Sequence, residues 1–528
     1  MLDPTTRAVY NAATTPVARA QAVRDSLGSG TLTVELRDGE TLVYSGTFTG
    51  PMTAGGDGSL SADVLLSGAV TTGGTPNAAT WKCRIRNADG RYIEGSFGPG
   101  GRFTWSGGAL VVGQAVRLRV TIAAAGSAVA PLSLVTGIDG GNASPTLSSV
   151  TDASSETPVV YVDFRPGTIG GTNGAGWRQA LVAVENAAGK RPIFRFNRAN
   201  MSGPGSAPTV DWRPYWTQDF QAWTRAPSRT LVGGSTGYIE FQFADPLPPG
   251  RVYIASHPMG RQQEADAFAA HLLSAYSGVA SPGVSADPSG VFSTSPAENN
   301  DTGRSVGGNS MYAIKLSWGG GTRKKLVQMA GIHAQGESSS WVPFVACVKW
   351  MLDDPSPEAV EFRSRWDVYL YFNLTPNGIQ GGHRRHNFRT GIDPNRAFSA
   401  GGTPSLTEIA ATQTAVLADT GGECDAFFSW HGYSSATIRY IPGTWTTKNA
   451  ATQAFIDLGA AIFGVTGMNY TTTTTGVDYW WAYNRLGATV AFDAEVPQRG
   501  NTSVEEMQSI GQAWARTLQA TDAAGWFD

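Results

Sequence analysis

Charge is scarce in this chain of 528 residues: only 15% are Asp, Glu, Lys or Arg, and they nearly cancel to a formal net charge of −3 at pH 7. Without an excess of positive charge there is no long-range field for a phosphate backbone or an anionic lipid surface, so nucleic acid is not expected as a partner. Basic residues gather only locally, from His383 to Arg396. Long apolar runs are missing as well, and none reaches the ~18 residues that a membrane span requires. The first residues, MLDPTTRAVY, lack a basic segment followed by an apolar core, so no signal peptide is expected and synthesis is placed in the cytoplasm. Cysteine is limited to Cys83, Cys347 and Cys424, an odd and dispersed set that suits reduced thiols and not a disulfide framework. Histidine is limited to six residues.

Glycine and tryptophan, by contrast, are plentiful, with 65 and 16 residues. Together with low charge, that composition leans towards β-structure and loops, and the length calls for several domains. Residues 1–141 read as a β-rich module, a possible attachment domain. Its segments TLTVELRDGETLVYSGTF, ATWKCRIRNADGRYIEGSF and VRLRVTIAA alternate apolar and polar residues between glycine turns. Asp89 and Arg91 belong to a hairpin turn there and carry no chemistry. Residues 142–157 are polar and aperiodic, which is linker composition. Residues 158–250 form a second small sandwich containing VVYVDF, IFRFNRANM and YIEFQF.

From residue 251 to 528 the pattern becomes α/β. Ala265, Phe268, Leu272 and Tyr276 recur at helical spacing, and S-x-x-E capping boxes stand at Ser405–Glu408 and Ser503–Glu506. Apolar runs at Asp367–Asn373, Ala426–Trp430 and Ala488–Asp493 read as buried strands between helices. Met311–Trp318 and Lys325–Ile332 read as a hairpin across Gly319–Gly321, because the phosphate-loop pattern is incomplete there. The predicted fold is an α/β domain with a mixed central sheet flanked by helices, preceded by two all-β sandwich-like domains. Ligands of such sheets collect beyond the carboxyl ends of the strands.

Two histidines stand at those ends, His333 after LVQMAGI and His431 after AFFSW. Glu337 follows His333 by four residues in GIHAQGES, so one loop could offer an imidazole and a carboxylate to one ion while His431 arrives from another strand. Two histidines and a glutamate make a zinc set that leaves a coordination position open for water. Any one of these residues alone would read as an ordinary strand-end side chain; the combination carries the signal.

From about Tyr253 onward, the order of motifs resembles the zinc carboxypeptidase family, most of all its cytosolic carboxypeptidase branch. The family's H-x-x-E appears here as His333 and Glu337 with one residue more between them. Pro376-Asn377-Gly378, Arg385 and Asp393-Pro394-Asn395-Arg396 follow the family's N-P-D-G, arginine and D-L-N-R. SWHGYSS carries His431, and GATVAFDAEVP ends near Glu495. The resemblance implies one Zn2+ held by His333, Glu337 and His431, with Glu495 as general base. It further implies Arg385 (or Arg384) at the oxyanion and Asn395 and Arg396 gripping a substrate's terminal carboxylate. Val477 and Trp480 would line the pocket for the C-terminal side chain. Asp493, two residues before Glu495 and on the same strand face, competes with it for the role of base. The implied partner is a peptide with a free C-terminal carboxylate.

The N-terminal strands resemble phage tail and baseplate β-modules in texture. That would make other virion proteins partners and cell-wall stem peptides substrates. Two other functions compete: an inactive carboxypeptidase-fold structural or receptor-binding protein of a phage tail, and a zinc amidohydrolase or deacylase.

Overall fold

The computed structural model describes residues 31–38, 41–49, 53–54, 60–66, 81–86, 92–96, 103–105, 116–122, 131–139, 143–144, 146–163, 181–197, 213–233, 237–299, 305–333, 335–381, 392–399, 404–433, 439–442, 450–463, 477–497 and 503–528. The N-terminal strands form two antiparallel four-stranded sheets. One of them pairs Trp81–Arg86 with Tyr92–Ser96, the predicted hairpin.

Two five-stranded sheets follow, and their inward residues make one core that includes Val160, Val182, Val184, Phe194, Phe196, Ile239, Phe241 and Ile254. Alternation accounts for this: Val159–Val162, Ile193–Asn197 and Tyr238–Phe241 each bury every second residue. Three segments join this sandwich that the sequence reading placed elsewhere. Ser133–Val135, assigned to the N-terminal module, pairs with Leu181–Glu185. Ser149–Thr151, assigned to the 142–157 linker, pairs antiparallel with Val159–Val162. Val252–Ala255 falls beyond the boundary at 250, although VYIASH reads as one of the sandwich's strands, and it pairs with Leu181–Glu185 and Tyr215–Thr217. Short polar strands take their place from pairing partners distant in sequence, which composition does not reveal.

The α/β unit is built on strands β1 (Ala280–Pro282), β2 (Val291–Thr294), β3 (Ser310–Leu316), β4 (Lys324–Ala330), β5 (Trp366–Phe372), β6 (Ala426–Tyr433), β7 (Arg439–Pro442) and β8 (Val490–Pro497). Their order is β1-β3-β5-β4-β6-β8-β7, with β2 also on β3. The central β5, β4, β6 and β8 run parallel, while β3 and β7 pair antiparallel with β5 and β8. The predicted β3–β4 hairpin does not form, because β5 lies between the two strands. β5 is buried at every position, and both flanking strands gain a partner by admitting it.

Helices α1 (Gln262–Ala275), α2 (Trp341–Asp353), α3 (Pro357–Arg365), α4 (Pro376–Gly381), α5 (Thr407–Thr420), α6 (Ala450–Phe463), α7 (Asp478–Leu486) and α8 (Val504–Ala523) complete the unit. α1, α2, α3, α6 and α8 bury Phe268, Phe344, Phe362, Phe455 and Trp514 in one core. α5 and α7 bury Ile409, Val416, Tyr479 and Trp481 in a second core. The Ser503–Glu506 capping box forms as predicted. At Ser405 it does not: the cap position is Leu406, whose burial in the second core fixes where α5 begins.

α8 lies close against α2 at Gly511. A Cβ there would meet the Pro343 carbonyl oxygen at 2.0 Å, and a backbone atom cannot yield as a flexible side chain can. Gly511→Ala is therefore expected to cost about 1–3 kcal/mol of stability through overpacking, measured by urea denaturation; a loss of under about 0.3 kcal/mol would show that the helices separate freely.

Candidate metal centre

The carboxyl ends of β4, β6 and β8 converge, as expected for a parallel sheet. After β4 the chain turns at Gly331, whose φ is +77° and where a Cβ would come within 3.1 Å of the Asn373 Cα. That turn delivers His333 to the sheet end, and a 3-10 turn over Gln335–Ser340 then carries Glu337 back towards it. His431 lies within β6, in parallel register with Glu495 of β8, while Ser429 is in register with Asp493.

His333 Nδ1 lies 2.8 Å from Glu337 Oε2, and His431 Nδ1 lies 3.1 Å from the same oxygen. The two Nδ1 atoms are 3.0 Å apart, and both histidines are almost fully buried. The far side of each ring bears on its tautomer. His333 Nε2 faces Asp393 Oδ1 at 2.8 Å, a carboxylate that favours a proton on that nitrogen once Nδ1 is given to a metal. His431 Nε2 faces Asp478 Oδ2 at 3.2 Å and Ser429 Oγ at 3.0 Å, with Asn395 Nδ2 at 3.5 Å, and the carboxylate favours a proton there in the same way. In neutral rings each Nδ1 then presents a lone pair. Two lone pairs and a carboxylate oxygen this close repel one another unless a cation lies among them, and the donor set of two imidazoles and a carboxylate suits zinc. Carboxylates on the remote nitrogens are the usual support for metal-bound histidines.

Asp393 also accepts the Asn395 N–H and so caps the turn Pro394–Arg396. Behind His431, Asp478, Asp493 and Asn395 are buried together. Burial works to raise Asp478, but the hydrogen bond and charge of His431 overcome it and hold the carboxyl below its usual value. Burial and the neighbouring Asp478 charge push Asp493 well above the usual carboxylate range, with Glu495 adding to the shift. Burial opposes charge on His431, yet Asp493, Asp478 and Glu337 together raise it well above an ordinary imidazole.

The structure thus brings His333, Glu337 and His431 together, with Glu495 at the register position beside His431. Asp493, the rival to Glu495, faces the Nε2 side of His431 at 3.5 Å, away from the convergence of Nδ1 atoms. Arg385 and Arg384 lie outside the described residues. Asn395 is buried, with Oδ1 accepting the Asp478 N–H and Nδ2 donating to Asp493 Oδ2. Arg396 is exposed, and its Nη1 donates to the Asn395 carbonyl at 2.8 Å. Val477 caps α7 and is packed in the second core, while Trp480 is half-buried against it. The sequence reading assigned no role to Asp478 or Ser429 and none to Asp393 beyond its motif; a carboxylate at the start of α7 and one inside D-P-N-R were the only signals available.

Residues 296–520 match the family model described as zinc carboxypeptidase. This segment is a zinc carboxypeptidase family domain. The carboxypeptidase fold is shared with solved structures of low identity. A metallo-carboxypeptidase from Burkholderia cenocepacia is 17% identical, with a TM-score of 0.51 over 75% of this chain and 100% of that one. A metallo-carboxypeptidase from Pseudomonas aeruginosa, solved in complex with (2-guanidinoethylmercapto)succinic acid, is 18% identical, with a TM-score of 0.52 over 75% of this chain and 100% of that one. Three quarters of the chain exceeds the α/β unit, so the likeness extends into the strands that precede the carboxypeptidase domain. A search of curated proteins returns no match. Among the described residues no helix is long and apolar enough to cross a membrane.

In the metal-free protein a proton is the remaining cation for this cluster. Because the folded-state pKa of His431 is raised from 6.5, its stabilising contribution is fully present below that value and is lost as pH rises through the elevated folded one. The stability advantage of metal-free wild type over His431→Gln is expected to shrink as pH rises from about 6 to 9, read by urea denaturation; an advantage that grows with pH contradicts the assignment.

Proposed function

We propose that this chain is a zinc metallocarboxypeptidase in which His333, Glu337 and His431 hold the metal and Glu495 is the general base. The observation that carries the reading is the convergence of His333 Nδ1, Glu337 Oε2 and His431 Nδ1 at 2.8–3.1 Å. A protein that kept this fold only as a scaffold would have no use for two buried imidazoles and a carboxylate converging on one point, with further carboxylates behind each ring, since burying ionisable groups together is costly. That argues against the inactive structural reading.

Bound zinc supplies Lewis-acid chemistry, acidifying water and polarising a carbonyl oxygen. Glu495 takes the proton of the attacking water and passes it to the leaving amine, so that the hydroxyl adds to the carbonyl carbon as the C–N bond breaks. Arg396, exposed beside the cluster, supplies a guanidinium for a free terminal carboxylate. By the family resemblance Arg385 serves the oxyanion, and Val477 and Trp480 border the side-chain pocket. The substrate class is then a peptide cut at its last bond, and a cell-wall stem peptide is the specific substrate for a copy carried on a virion.

Glu495→Gln is expected to lower kcat about 10²–10⁴-fold while zinc stays bound, measured as amino-acid release from a panel that includes stem peptides and C-terminally amidated controls. Equal cleavage of amidated and free peptides would favour an amidohydrolase, and undiminished activity in the variant would remove Glu495 from the reaction.

A further inference from the structure

His431 has a second face. Its Nε2 lies against Ser429 Oγ at 3.0 Å and Asp478 Oδ2 at 3.2 Å. Asp478 is held from several sides: Oδ1 accepts the N–H of Tyr479 at 2.7 Å, its own N–H donates to Asn395 Oδ1 at 2.9 Å, the Ser429 and Asp493 side chains also hydrogen-bond with its carboxylate, and none of its surface is exposed. The bond from that main-chain N–H also settles which way the Asn395 amide faces, because only its oxygen can accept. Asn395 Nδ2 is then turned towards Asp493 Oδ2 at 3.3 Å, the shorter of its contacts, with His431 Nε2 at 3.5 Å. Both ends of the Asn395 side chain are committed inside the protein, in a residue only 2% exposed.

We propose that Asp478 is the positioning residue for His431, accepting the Nε2 proton directly or through the Ser429 hydroxyl, and that Asn395 braces Asp478 instead of gripping the substrate's carboxylate. This inference rests on the zinc reading of the site. An imidazole whose Nε2 proton is held by a carboxylate keeps its Nδ1 lone pair aimed at His333 and Glu337. Each histidine of the cluster then has its own carboxylate, Asp393 for His333 and Asp478 for His431, contributed by two separate segments.

A substitution at Asp478 separates positioning from packing. In Asp478→Asn the side-chain oxygen is retained by the Tyr479 N–H, which leaves the new amide NH2 facing His431 Nε2. A donor there drives the imidazole proton to Nδ1, where it blocks the metal. Asp478→Asn is therefore expected to weaken zinc binding roughly 10–100-fold and to be no milder than Asp478→Ala, whereas a packing role predicts that the isosteric Asn is the milder change. The measurement is zinc affinity by chelator competition, with the visible spectrum of the cobalt-substituted protein as a second readout. Asn395→Ala is expected to weaken zinc binding in the same direction.

Zinc affinity within 2-fold of wild type in Asp478→Asn would overturn the assignment, and an unchanged affinity in Asn395→Ala with a raised KM would return Asn395 to the substrate. Wild-type protein that binds no zinc would sink both this inference and the reading beneath it. Histidine 15N NMR of zinc-loaded wild type needs no variant: it is expected to show His431 protonated at Nε2, and a proton at Nδ1 would overturn the proposal.

Discussion

Three electron-rich atoms held about 3 Å apart, His333 Nδ1, Glu337 Oε2 and His431 Nδ1, are the constraint on which the rest of this site depends. Apart from a cation they repel, and burial removes the water that would otherwise screen them. The surrounding structure is arranged to hold them there. Asp393 and Asp478 face the remote ring nitrogens, and the Gly432 N–H donates to Glu337 Oε2. The site is thus one where a cation, a proton or a metal ion, joins three atoms that would otherwise repel.

The parallel arrangement of β4, β6 and β8 supplies the rigidity. Register fixes His431 beside Glu495 and Ser429 beside Asp493, so one strand pair delivers both the inner and the outer partners of the histidine. Helices on both faces anchor those strands through large aromatic side chains, and the close approach of α8 to α2 at Gly511 braces the helix that follows the Glu337 turn. The upstream sandwich contributes at its edge. Arg261, at the start of α1, lies 3.5 Å above the Phe220 ring and is held by Glu264 in a buried ion pair. This joins the sandwich to the first helix of the carboxypeptidase domain through a desolvated cation–π contact.

Much of this was legible in the sequence because its causes are local. Helical spacing places Ala265, Phe268 and Leu272 inward, and all three are buried; the Ser503–Glu506 box caps its helix. His333 and His431 read as strand-end residues with Glu337 four positions after the first, and the three come together, His431 from inside β6. What escaped was decided over long separations. β5 inserted between two strands that looked like a hairpin, and the short strands Ser133–Val135 and Ser149–Thr151 found partners in the second sandwich. Asp478 acts on a histidine 47 residues earlier. Asn395 shows the limit from the other side: its motif announces the residue, but only the Asp478 N–H reveals which way its amide faces.

The most direct test of the account is anomalous diffraction at the zinc edge from crystals of the full chain grown with zinc. A single peak bonded to His333 Nδ1, Glu337 and His431 Nδ1 is the result the account predicts. A well-ordered cluster with no peak, or a zinc ion bound elsewhere while these three side chains remain in mutual contact, would contradict it.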